Sequence, residues 1–137
     1  MQSCYTAASM TDCEGTIHPR ARQGILLINK GEYFEAHEEL EAAWKEETGT
    51  IRELYQGILQ AAVTYLHITR GNYPGAVKVY GRSMRWLKDW PETCRGIEVG
   101  QLRRDLEAAI TEVRQLGETR LALFDRTLLK PVVWKEG

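Results

Sequence analysis

Two side chains with the capacity for chemistry stand on an otherwise core-forming helical face: His37 and Glu41, followed at the same period by Trp44. Spaced i, i+4, an imidazole and a carboxylate lie one above the other on one side of a helix, with Cβ atoms about 6 Å apart. That is close enough to share one proton or one ion. An ionised carboxylate on an apolar face must be paired or ligated to be tolerable. A second polar line, Gln56, Gln60, Thr64 and His67, follows at steps of 4, 4 and 3 on the next helical segment. A short turn separates the two segments, which favours antiparallel neighbours. The two lines are then expected to face each other and to bring His37, Glu41 and His67 together as ligands. Two histidines and one carboxylate suit zinc, iron or manganese. Glu38, Trp44, Gln56 and Gln60 stand around that set as groups that orient ligands, line a pocket or exclude water. Two other readings of the same residues stay open: a buried hydrogen-bond network that only fixes helix register, and a pocket for a polar small molecule without any ion.

The elements that must position these residues are helical. Pro19 suits a first turn, and Ile25, Leu26 and Ile28 form a short apolar helix ending near Asn29 and Gly31. A second helix runs from Glu32 to about Glu46 and has Tyr33, His37, Leu40, Glu41 and Trp44 on one face and glutamates on much of the other. Gly49 breaks it. The third, from about Ile51 to Arg70, is apolar on more than one side and is expected at the centre. A fourth opens at Pro74, carries Val77, Tyr80, Met84 and Leu87, and ends before Pro91; a fifth, from about Glu98 to Leu116, has the clearest apolar stripe and stops at Gly117. The fold class is therefore all-α, a compact bundle of about five helices. Residues 1–17 show no helical period and read as a flexible arm, and 18–137 as a single helical-bundle domain. Its C-terminal tail, with Leu121, Phe124, Val132 and Trp134, is apolar enough to pack back or to meet a partner.

Composition narrows the function classes. Eighteen Lys and Arg against 19 Asp and Glu leave a formal charge of -1. No global field then recruits nucleic acid or an anionic membrane, and neither is expected as a partner. The three cysteines, Cys4, Cys13 and Cys94, are scattered and odd in number, and read as reduced thiols rather than a disulfide framework or a zinc ribbon. The N-terminus lacks signal-peptide character and no run is long and apolar enough to span a bilayer, so the cytoplasm is the expected compartment. No nucleophile elbow, cysteine with a sequence-adjacent base or glycine-rich phosphate loop occurs, so the sequence supports no enzymatic activity.

A faint internal repeat adds a rival reading. GEYFEA at 31–36 and GNYPGA at 71–76 both open a helix with Gly-x-Tyr-x-x-Ala, 40 residues apart. Helix-pair repeats of the tetratricopeptide type start similarly, a small Ala in the first turn letting two helices approach. On that reading the chain is a protein-interaction module, with a protein partner or self-association, and the polar line merely sets register.

Phe34, His37, Glu38, Glu41 and Trp44, then Arg52, Gln56, Gly57, Gln60, His67, Gly71, Asn72, Gly75 and Ala76, in this order, resemble one mainly prokaryotic helical family, domain of unknown function family 309. Its His-x-x-x-Glu-x-x-Trp or Tyr signature stands here as His37, Glu41 and Trp44, and GIEV at 96–99 is similar to its Gly-Ile-Asp-Val before the last helix. The resemblance covers roughly residues 20–116. It implies a helical bundle with a metal-binding signature and brings no activity with it.

Overall fold

The computed structural model describes residues 10–135; Cys4 and most of the expected N-terminal arm lie outside them. Five helices follow in order: α1 (Pro19–Asn29), α2 (Tyr33–Glu46), α3 (Ile51–Thr69), α4 (Tyr73–Leu87) and α5 (Val99–Arg120). Gly117, at φ 71°, breaks the helical path inside α5, where the sequence places its end. Consecutive helices pack on one another from α1 to α5. α3 is the central one, with Leu54, Tyr55, Ile58, Ala61, Ala62 and Tyr65 at most 1% exposed. Two close approaches depend on glycine. A Cβ on Gly24 would lie 2.6 Å from Leu40 Cγ, and one on Gly57 would lie 2.5 Å from Leu87 Cδ2, so α1 meets α2 and α3 meets α4 where a side chain is missing.

The repeat is visible in the backbone. After α1, Gly31 N donates to Ile28 O and Glu32 N to Leu27 O; after α3, Gly71 N donates to Ile68 O and Asn72 N to His67 O. Gly31 and Gly71 take the left-handed φ values, 80° and 72°, that close each helix in this way. Ala36 N and Ala76 N then donate to Glu32 O and Asn72 O as the next helices start, and both alanines are fully buried. The chain thus contains two helical hairpins, α1–α2 and α3–α4, closed by the same turn at an offset of 40 residues.

Two features correct the sequence reading. Between α4 and α5 a two-stranded antiparallel hairpin forms, β1 (Thr93–Cys94) with β2 (Ile97–Glu98). The cysteines read as reduced thiols include a disulfide, Cys13–Cys94, with Cα atoms 4.5 Å apart. This bond ties down the described part of the expected arm: Met10–Cys13 form a 3-10 turn, Arg95 Nε and Nη1 donate to Asp12 O and Thr16 O, and Ile17 is buried. The tail packs back on the helices. Leu121, Phe124 and Val132 are buried, Asn29 bonds both backbone groups of Val132, and Trp134 pairs with Ile97 beside the hairpin. No helix among the described residues is long and apolar enough to cross a membrane.

Candidate functional site on α2 and α3

On α2 the core side is set by Tyr33, Ala36, Leu40 and Ala43, all buried. His37, Glu41 and Trp44 flank that side at the margin toward α3 and are half-buried. The opposite margin faces α1, where Arg20 holds Glu39 and His18 holds Glu46 at 2.9 Å. His18 also caps α1, its Nδ1 accepting from Arg20 N.

On α3, Arg52, Gln56, Gln60, Val63 and His67 form a single half-buried strip. One edge of the strip leans on α2: the Arg52 guanidinium lies 4.7 Å from the Trp44 ring centroid, and its Nε donates to Trp44 O. The other edge lies next to Gly57, whose neighbours are Leu87 and Trp86 of α4. The strip is therefore the part of α3 left open between α2 and α4. Two contacts fix the register of the hairpin, Trp44 with Arg52 at one end and Tyr33 with Tyr65 at the other, 5.6 Å between ring centroids. In that antiparallel register Glu41 lies level with Gln56, and His37 level with Gln60.

His67 falls outside this register. It lies two residues past Tyr65, which is level with Tyr33 at the start of α2, and its Nδ1 accepts from Asn72 Nδ2 at 3.1 Å, while Asn72 Oδ1 accepts from Gly75 N and caps α4. The His67 ring thus braces the α3–α4 turn. Among the described residues no three His, Cys, Asp or Glu side chains are grouped to hold a metal ion. His37, Glu41 and His67 are not brought together, and the donor set implied for a metal does not fit the geometry. Glu38 is exposed on the outer face of α2. Gln56 is the informative one, since its Oε1 is buried and finds no hydrogen-bond partner among the described residues. Such an atom costs about 1–3 kcal/mol until something donates to it.

Burial, with the Arg70 charge adding to it, lowers the His67 pKa from its ordinary 6.5. The folded state then resists protonation that the unfolded chain accepts, so stability is full above about pH 6.5 and falls as pH drops toward the lower folded value. Urea midpoints measured from pH 7.5 to 5 should show this loss, and His67→Gln, which does not titrate, should remove that part of the slope.

The strip was only half legible in the sequence. Arg52, left off the line of Gln56 and Gln60 in the sequence reading, stacks on Trp44; its four-residue spacing to Gln56 is the signal that puts it on that line. Two open concavities lie elsewhere. One, of about 370 Å³, is lined by Glu98, Gln101, Asp105 and Lys130, and the other, of about 390 Å³, by Arg70, Glu118, Phe124 and Arg126.

Residues 21–79, from α1 into α4, match the family described as Domain of unknown function (DUF309). An uncharacterized protein of Aquifex aeolicus (strain VF5) is 31% identical over 85 residues, 60% of this chain and 25% of that protein. The uncharacterized protein YpuF of Bacillus subtilis (strain 168) is 41% identical over 58 residues, 42% of this chain and 33% of that protein. The chain thus spans a third or less of the length of either relative, and residues 21–79 hold α2, α3 and the α3 strip but only the first half of α4. The likeness to the family described as Domain of unknown function (DUF309) covers less than half of this chain.

Proposed function

We propose that the two-hairpin unit is a protein-interaction module that takes an extended peptide segment along the α3 strip between α2 and α4. The observation that carries this reading is the orphaned Gln56 Oε1 beside Gln60 on that strip. A glutamine side chain offers the donor and acceptor pair that a peptide unit needs. Side chains four apart on a helix are about 6 Å apart along its axis. Same-face groups of an extended chain recur about every 6.8 Å. Gln56 and Gln60 are therefore nearly in step with alternate peptide units. Trp44, held by Arg52, supplies an aromatic edge at one end, and half-buried Val63 an apolar contact near the other.

A metal centre on His37 and Glu41 has no comparable support, because a third donor is not grouped with them among the described residues. The test is selection of binding peptides from a random display library against the full chain. Gln56→Ala and Gln60→Ala should each weaken a selected peptide about three- to tenfold, the worth of one hydrogen bond. Peptides whose affinity ignores both substitutions would sink the assignment.

A further inference from the structure

The near-zero net charge conceals a segregation between the two repeat-related helices. α2 carries Glu35, Glu38, Glu39, Glu41 and Glu46 against Lys45 alone, whereas α4 carries Lys78, Arg82 and Arg85 and no acid. Steps of four and three place the three α4 cations on one stripe, opposite buried Ala76, Val79, Ser83 and Leu87. All three are exposed, and among the described residues none enters an ion pair, a hydrogen bond or a ring contact. On α2, Arg20 and His18 occupy Glu39 and Glu46, but exposed Glu35 and Glu38 have no such partner.

Gly81 is a second, independent feature of the same stripe. Gly24 and Gly57 are required because a Cβ would strike Leu40 or Leu87, yet a Cβ on Gly81 would meet nothing within 4 Å. It is exposed in the middle of α4, where glycine weakens a helix relative to alanine and nothing in its own chain needs the space. What glycine leaves there is a notch flanked one turn away by Lys78 and Arg85. α2 offers a matching projection: Phe34, 45% exposed, beside Glu35 and one turn from Glu38.

We propose that the α4 stripe is the docking surface for the α2 face of a second copy of this chain. Phe34 of one copy enters the notch over Gly81 of the other, and Glu35 and Glu38 meet Lys78, Arg82 and Arg85. This surface is separate from the α3 strip and does not depend on its reading. A nucleic acid fits less well, because the stripe is only about 10 Å long and the molecule as a whole has no positive field. Each copy carries one face of each sign, so a two-fold pairing satisfies both at once. Exposed ion pairs contribute little and are screened by salt, so the aromatic contact sets the register and the charges select the partner.

The test is sedimentation velocity of the full chain over a concentration series at low and high salt. The expected result is a dimer at low salt whose association weakens about tenfold or more at roughly 0.5 M salt. The triple variant Lys78→Glu, Arg82→Glu, Arg85→Glu and the double variant Glu35→Lys, Glu38→Lys should each be monomeric. Mixed in equal amounts they should form a heterodimer, since each reversed face then meets its complement. Gly81→Leu, which fills the notch without changing charge and favours the helix, should also be monomeric, with helical content checked by circular dichroism. A wild type that stays monomeric at low salt overturns the proposal, as does a dimer that survives Gly81→Leu or reversed variants that fail to pair.

Discussion

Cys13→Ser is expected to lower the unfolding free energy by about 3 to 4 kcal/mol in a urea titration under non-reducing conditions. The bond closes a loop between residues 81 apart, so its loss returns the entropy of that long loop closure to the unfolded state. The native side loses little, because Arg95 still donates to Asp12 O and Thr16 O, and Arg95 N still bonds Cys13 O. The effect should therefore appear as a steeper denaturant dependence as well as a lower midpoint, the signature of a more expanded unfolded chain. Dithiothreitol should reproduce the loss in the wild type and leave the variant unchanged. Equal stability of the wild type with and without reductant would mean that the bond does not constrain the chain.

Leu87→Ala is expected to cost about 3 kcal/mol, in the range for emptying a fully buried leucine site. Leu87 is 0% exposed and occupies the space over Gly57, where α3 and α4 approach closely. Ser83 Oγ donates to Gly57 O at 2.8 Å in the same seam, so the backbones are fixed and the cavity cannot collapse freely. Gly57→Ala overfills this place in the wild type and should cost about 1 to 3 kcal/mol. In the Leu87→Ala background the same methyl partly refills the void and should cost less. A double-mutant cycle by urea denaturation reads that coupling, and strict additivity would show that the two residues do not share the seam.

The helices were legible because their punctuation is local. Pro19, Gly31 and Gly71 mark helix ends that the sequence places within about a residue or two of those observed, the usual uncertainty of such boundaries, while Gly117 marks a break inside α5 rather than its end at Arg120. The hairpin at Thr93–Glu98 was not, since strands of two residues show no period to read. The disulfide was hidden by its 81-residue span and by a third cysteine that left the count odd. At the site, the period identified which residues share a face: His37, Glu41 and Trp44 on α2, and Gln56 and Gln60 on α3. What each face meets depends on register between helices, which is a tertiary property. His67 shows the difference, lying on the expected line of α3 but beyond the start of α2, with its ring given to Asn72.

The most direct test of the interaction reading is an amide-resolved NMR titration of the isotopically labelled chain with a display-selected peptide and no added metal. The expected result is that the side-chain amides of Gln56 and Gln60 and the Trp44 indole shift together, while α1 and α5 stay in place. Perturbations confined to other surfaces, or binding that appears only with added zinc and centres on His37 and Glu41, would contradict it.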